Sequence, residues 1–99
     1  MIKLIMTWNI REGKEAEYLE FLNKDFARLL LSMNIHPTDA WYAVWGRGPQ
    51  VIAGGVAEDM AAMETALRGE EWQGLQDKLK QFVVDFKYKL VEHTGSFQL

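Results

Sequence analysis

The opening residues constrain the fold most strongly, because apolar side chains occupy every second position from residue 2 to residue 10. A period of two predicts a β-strand with one buried face. From Gly13 to about Met33 the apolar positions recur at helical spacing instead, which predicts one long helix that Asn34 and Pro37 end. One face of the strand carries Ile2, Leu4, Met6, Trp8 and Ile10, and the other carries Lys3, Ile5, Thr7 and Asn9.

The rest of the chain continues this succession of strand and helix patterns. Residues 39–46 and 50–57 are rich in aromatic and branched side chains, and the intervening Gly and Pro residues predict a hairpin. Asp59 is the expected N-cap of a helix over 60–68, Gly69 breaks it, and a further helix covers about 70–82. Residues 84–93 alternate again as a closing strand. The pair Gly54-Gly55 indicates close packing of a helix on the sheet.

These elements follow the order βαββαβ and fill a chain of 99 residues. This length accommodates one domain, residues 1–99, with a single core. The order predicts a ferredoxin-like α+β fold with a four-stranded antiparallel sheet. We expect the first and third strands at its centre and both helical segments on the same face.

Composition and charge exclude several classes of function. The net charge is −3, and the 11 basic and 14 acidic residues are scattered, so neither nucleic acid nor an anionic membrane is an expected partner. The chain has no cysteine, which excludes thiolate nucleophiles, iron–sulfur clusters and disulfides. The apolar start is too short for a membrane span and lacks a signal-peptide cleavage site, so a cytoplasmic protein is expected.

Histidine spacing gives no indication of a metal site. His36 is expected in a loop after the long helix, and His93 lies near the end of the closing strand. Neither has a second histidine at a metal-ligand spacing, so no metal is expected.

The aromatic content of the hairpin predicts a homodimer. Its first strand is apolar on both faces, because Trp41, Ala43 and Trp45 alternate with Tyr42 and Val44. One face can pack on the helices, but the other leaves an apolar patch on the open side of the sheet. A second copy of the chain is the economical cover for such a patch.

A ligand site is expected where the first strand ends. Asn9 and Arg11 lie there, and an amide and a guanidinium can stabilise a developing enolate or phenolate. The alternative is that both residues only close the strand-to-helix turn and pair with nearby carboxylates.

Hairpin aromatics provide the expected wall of that site. Trp41, Tyr42 and Trp45 could line a pocket for an aromatic ligand, with the Tyr42 hydroxyl as a hydrogen-bonding group. Strand alternation places His93 on the side of the sheet that the helices do not cover, where it could act as a general base. The alternative for the aromatic residues is core and dimer interface, and for His93 an ordinary strand position.

The whole chain resembles the dimeric α+β barrel superfamily, and within it the antibiotic-biosynthesis-monooxygenase-like small proteins. The resemblance rests on the segment from Arg11 to Tyr18 after the opening strand, on the aromatic hairpin, and on the Trp72 helix before the closing strand. It implies two sheets that face each other, with a pocket between sheet and helices or within the barrel. Members range from cofactor-free oxygenases and haem-degrading enzymes to proteins without a known reaction.

The haem-degrading branch provides a residue-by-residue test of the resemblance. Asn9 matches the asparagine of that branch, but Ala66 and Gln76 stand where its tryptophan and haem-ligating histidine are expected. The resemblance therefore argues against haem, and no cofactor is expected.

Two functions remain: a cofactor-free enzyme acting on a small aromatic or apolar molecule, or a non-catalytic homodimer that binds a small ligand or serves as an interaction module.

Overall fold

A computed structural model describes residues 1–42 and 48–92 of the chain. Its sheet has the strand order β2-β3-β1-β4, and every neighbouring pair is antiparallel. The predicted βαββαβ order, the antiparallel sheet and the central first and third strands are therefore confirmed. The elements are β1 (Ile2–Ile10), α1 (Glu15–Phe21), a π-helical turn (Leu22–Phe26), α2 (Ala27–Ser32), β2 (His36–Tyr42), β3 (Val51–Ala57), α3 (Met60–Arg68), α4 (Glu70–Leu79) and β4 (Val83–Glu92).

The core lies between the helices and one face of the sheet. Leu4, Met6 and Trp8 of β1 are fully buried there, as the alternation predicts. The other face of the sheet, called the open face below, carries no helix among the described residues. None of the helices in the described ranges combines the length and the apolar composition that a bilayer crossing requires. The core side chains from the helices include Tyr18, Phe26, Leu30, Met63, Trp72, Leu75 and Leu79.

The long predicted helix is helical from Glu15 to Ser32 but is not a uniform α-helix. Its middle is the π-helical turn, whose wider hydrogen-bonding pattern leaves no mark in a 3.6-residue spacing. Phe26 at the end of this turn packs edge-on against Trp8, with ring centroids 5.7 Å apart. Asn34 follows in the left-handed region with φ 61°, as a helix-ending asparagine often does. The last helix, α4, ends at Leu79, whereas the sequence predicts its end near residue 82.

The first hairpin strand begins at His36, three residues before the predicted start. His36 pairs with Val56 of β3, so the expectation that it lies in a loop was wrong. Pro37 is compatible with β2 because this is an edge strand, where a missing N–H need not break the ladder. The register shifts between Pro37 and Asp39, an irregularity that strand alternation does not predict.

The two adjacent glycines of β3 face opposite sides of the sheet. A Cβ on Gly55 would lie 2.8 Å from Cγ2 of Ile35, and one on Gly54 would lie 2.8 Å from Cε of Lys3. Ile35 precedes β2 and belongs to no helix, so the expectation that the glycines admit a helix was wrong. Gly55 instead leaves room for a buried side chain of the helix-to-strand connection.

Candidate functional site

A cleft on the helix side of the sheet, with a volume of about 450 Å³, lies between α1 and the edge formed by β2 and β3. We call it the helix-side cleft. Most of its lining consists of aliphatic and aromatic side chains, which suits an apolar ligand. The lining residues are Ile10, Glu15, Tyr18, Leu19, Leu22, Ala40, Trp41, Tyr42 and Val51.

Tyr18 is the buried polar residue of this cleft. It lies on the inner side of α1 with 3% of its surface exposed, and its hydroxyl oxygen accepts a hydrogen bond of 3.1 Å from Nε1 of Trp8. The two rings meet edge-on, with centroids 6.4 Å apart. Burial raises the pKa of Tyr18, the bond from Trp8 opposes this shift, and the nearby Tyr42 adds to it. Tyr18 therefore presents a neutral phenol to the cleft at physiological pH.

Sequence reasoning did not select Tyr18 as a site residue. Tyr18 is only the last residue of the segment from Arg11 to Tyr18 that carries the family resemblance. In the sequence, a tyrosine on the buried stripe of a helix cannot be distinguished from any other core aromatic residue. The signal was its hydroxyl, because a buried tyrosine usually requires a hydrogen-bond partner. The sequence does not indicate that this partner is Trp8, ten residues earlier on β1.

Trp41 and Tyr42 are neighbours whose positions in the sheet face opposite sides. Tyr42 pairs with the buried Val51 on the helix side, whereas Trp41 pairs with Ile52 on the open face. Trp41 is 58% exposed and Tyr42 is 60% exposed. Both contribute to the lining of the helix-side cleft, where β2 forms its outer edge.

The open face carries a second, more polar depression with a volume of about 560 Å³, called the open-face groove. It contains two lysines and one aspartate from β4 beside Thr7 and Asn9 of β1. Lys87 pairs with Thr7 and Lys89 pairs with Ile5, so β4 places both lysines on the open face. The groove is lined by Ile5, Thr7, Asn9, Gly48, Pro49, Asp85, Lys87, Tyr88 and Lys89.

The Asn9 side-chain amide makes two hydrogen bonds in the open-face groove. Its Nδ2 donates to Oδ2 of Asp85 at 3.0 Å, and its Oδ1 accepts from the Gln50 backbone N–H at 2.8 Å. The Gln50 side chain in turn accepts from the Ile10 N–H at 2.7 Å. Asp85 has φ 59°, an uncommon backbone conformation for a residue other than glycine. These contacts join the ends of three strands, in keeping with the structural alternative for Asn9.

The Arg11 guanidinium binds a backbone carbonyl group. Its Nε and Nη2 donate to the Lys80 carbonyl oxygen at 3.2 and 3.1 Å, and it lines neither the helix-side cleft nor the open-face groove. Asn9 lines the open-face groove, whereas Trp41 and Tyr42, the described aromatic residues of the predicted site, line the helix-side cleft. Trp45 and His93 lie outside the described residues. Within the described ranges, no three His, Asp or Glu side chains cluster as metal ligands would.

Several solved structures share this architecture over nearly the whole chain. At3g17210 from Arabidopsis thaliana superposes with a TM-score of 0.79 at 15% identity, covering 100% of both chains. An uncharacterised NIPSNAP domain protein from Burkholderia xenovorans has a TM-score of 0.70 at 15% identity, covering 99% of both chains. A monooxygenase-like protein of antibiotic biosynthesis from Nitrosomonas europaea has a TM-score of 0.65 at 8% identity, covering 93% of this chain and 97% of its own. The protein shares the ferredoxin-like α+β fold of these solved structures.

This α+β fold of the single chain is the one that the resemblance in the sequence predicts. No protein-family model matches the sequence, and no curated protein matches it. Identities this low show a shared fold and carry no residue roles from one protein to another. The roles of residues in this chain therefore depend on their own contacts.

Proposed function

We propose that the protein is a homodimer that binds a small aromatic or otherwise apolar molecule in the helix-side cleft. The observation that carries this proposal is the nearly all-carbon lining around one buried phenol. The cleft also has the size of known small-molecule sites, which span roughly 300–1,000 Å³.

Partial exposure of the cleft walls provides the driving force for binding. Leu19 and Tyr42 are both more than half exposed in the isolated chain. A ligand that covers them would gain about 25 cal/mol for each Å² of apolar surface removed from water. Glu15 is an acidic residue of the lining, so a neutral molecule suits the cleft better than an anion.

The open face supports the homodimer. Trp41 and Ile52 pair with each other on this face, and both are exposed. Thr7 of β1 pairs with Ile52, and Ile5 is the next open-face residue along β1, opposite Gly54. A second copy packed face to face would cover these side chains, as the fold of the dimeric α+β barrel proteins suggests.

A cofactor-free enzyme of the monooxygenase-like type is the second candidate function. The observation that favours it is the neutral Tyr18 phenol, since a fixed hydroxyl can stabilise charge that develops on a bound molecule. Oxygen uptake with naphthols and hydroquinones tests it, with catalase added to remove peroxide formed without the protein. Uptake that requires the protein and is lost in Tyr18→Phe supports catalysis, and uptake equal to the protein-free rate contradicts it.

A cleft-filling substitution tests the binding proposal. Ala40 lines the cleft and pairs with the buried Ala53 on the helix side, so an indole at this position would occupy the space. We expect Ala40→Trp to weaken binding of 2-ethylnaphthalene by about tenfold or more, a loss of roughly 1.4 kcal/mol. The matched control is Ala27→Trp at an exposed position of α2, which should bind as the wild type does. Equal affinity in both variants would contradict the proposal.

A further inference from the structure

We infer that the Tyr18 hydroxyl donates a hydrogen bond to an acceptor oxygen of the bound molecule. The ligand class is thereby narrowed to neutral, mostly apolar molecules that carry a carbonyl or quinone oxygen. This inference rests on the proposed function, since it concerns the same helix-side cleft.

The hydrogen-bond inventory of Tyr18 leaves its proton available. A phenol has one O–H to donate and two lone pairs to accept with. Trp8 Nε1 occupies one lone pair at 3.1 Å. Across residues 1–42 and 48–92, the Tyr18 proton has no acceptor among the side-chain hydrogen bonds of the structure. Tyr18 is one of the residues that line the cleft, and the cleft is the space from which an acceptor would reach its hydroxyl.

Trp8 fixes the position from which this proton is donated. Its indole is fully buried and packs against Phe26, at 5.7 Å between ring centroids, and Phe86, at 6.2 Å. A closely packed tryptophan keeps its N–H aimed at the Tyr18 oxygen, which leaves the phenol little freedom. The bond from Trp8 also polarises the O–H and makes it a stronger donor. The pair is therefore organised before any ligand binds.

The other polar groups of the cleft select the kind of acceptor. The Glu15 side chain disfavours a carboxylate or phosphate ligand, because both would be anions in the same cleft. Trp41 and Tyr42 are largely exposed, so their N–H and O–H groups are hydrated and compete less for the ligand. A neutral oxygen on an apolar body matches one buried donor within carbon walls.

Two probes of similar shape test this donor. 2-Acetylnaphthalene carries a carbonyl oxygen, and 2-ethylnaphthalene has the same ring system without it. We compare the ratio of their two dissociation constants between wild type and Tyr18→Phe, which cancels the different hydration of the probes. We expect the ketone to lose about fivefold relative to the hydrocarbon in Tyr18→Phe, the effect of one net hydrogen bond. Tyr88→Phe, which removes a tyrosine hydroxyl outside the helix-side cleft, is the matched control and should leave the ratio unchanged.

A second variant and a spectroscopic signal separate this role from a purely structural one. Tyr18→Phe leaves the Trp8 N–H without its acceptor and lowers stability, so Trp8→Phe with Tyr18 retained serves as the second background. We expect the relative preference for the ketone to weaken but remain in Trp8→Phe, which lacks the orienting bond, and to disappear in the double variant. The Trp8 indole N–H resonance should shift with the ketone in wild type and much less with the hydrocarbon. If Tyr18→Phe binds both probes with an unchanged ratio of dissociation constants, Tyr18 is not the donor, but the cleft proposal stands. If the wild-type protein binds neither probe, the cleft proposal is overturned as well.

Discussion

The indole nitrogen of Trp8 lies 3.1 Å from the hydroxyl oxygen of Tyr18, and this hydrogen bond ties the central strand to the first helix. Both residues belong to the core, where an unpaired polar group costs about 1–3 kcal/mol. The bond therefore satisfies the indole N–H and also orients the phenol at the cleft. One contact thus links the stability of the fold to the proposed site.

The raised pKa of Tyr18 predicts a loss of stability in alkaline solution. The pKa of the Tyr18 phenol is higher in the folded chain than its usual value of 10.0. Its contribution to the free energy of unfolding is therefore fully present at pH values below 10.0. The contribution declines as the pH rises through the pKa of the folded state, because the unfolded chain then releases its proton first. Urea unfolding from about pH 8 to about pH 11 measures this trend, with Tyr18→Phe as the reference for other groups. Parallel curves for the two proteins would contradict the prediction.

Gly55 and Gly54 should respond differently to an added methyl group. We expect Gly55→Ala to lower the free energy of unfolding by about 1–3 kcal/mol, because its Cβ would meet the fully buried Ile35 at 2.8 Å. Gly54→Ala should cost less, although its Cβ would lie 2.8 Å from Cε of Lys3, 2.9 Å from Oγ1 of Thr38 and 3.1 Å from Oδ1 of Asp39. Thr38 and Asp39 are exposed and Lys3 ends in a flexible chain, so these side chains can move toward solvent, whereas Ile35 is enclosed. Urea unfolding of both variants gives the comparison. A larger loss for Gly54→Ala would show that the open face is the more tightly packed side.

The homodimer should depend on the open face. Ile52→Asp places a charge on the proposed interface, whereas Tyr42→Asp changes a more exposed residue whose side chain is on the helix side of the sheet. Light scattering at micromolar concentration should give twice the chain mass for the wild type and for Tyr42→Asp, and the single chain mass for Ile52→Asp. A wild-type monomer, or a dimeric Ile52→Asp, would contradict this arrangement.

Asp85 should tolerate asparagine better than alanine. Its φ of 59° disfavours residues with an ordinary side chain by roughly 1–2 kcal/mol, and alanine would also lose the hydrogen bond from Asn9. Asparagine tolerates the left-handed region and can still accept from Asn9. Thermal or urea unfolding should rank wild type and Asp85→Asn together and Asp85→Ala lower. Equal stability of all three would show that the conformation is not maintained by this pair.

The sequence predicts the fold well because the periodicities are unambiguous. Strict alternation in residues 2–10 and helical spacing in 14–33 decide which side chains face the core. Local departures from regular geometry were not predicted, namely the π-helical turn, the early start of β2 at His36 and the left-handed Asp85. Each depends on tertiary contacts, which a repeating pattern does not encode.

The candidate site was less accessible to sequence reasoning. Asn9 and Tyr42 were selected for their chemistry, but strand parity alone does not show that they lie in different depressions. Arg11 looked like a ligand donor, yet the carbonyl that it binds belongs to Lys80, 69 residues away in the chain. The role of Tyr18 likewise depends on its hydrogen bond from Trp8, ten residues earlier on another element. Such contacts can be predicted only when the packing of α1 on the sheet is known.

Locating a bound probe by nuclear Overhauser effects tests the central claim most directly. Wild-type protein with 2-acetylnaphthalene should show contacts from the naphthalene protons to the methyl groups of Ile10, Leu22 and Val51, which line the helix-side cleft. Contacts to Ile5 and the side chains of Lys87 and Lys89 would place the ligand in the open-face groove instead. That second result, or the absence of any intermolecular contact, would contradict the proposed function.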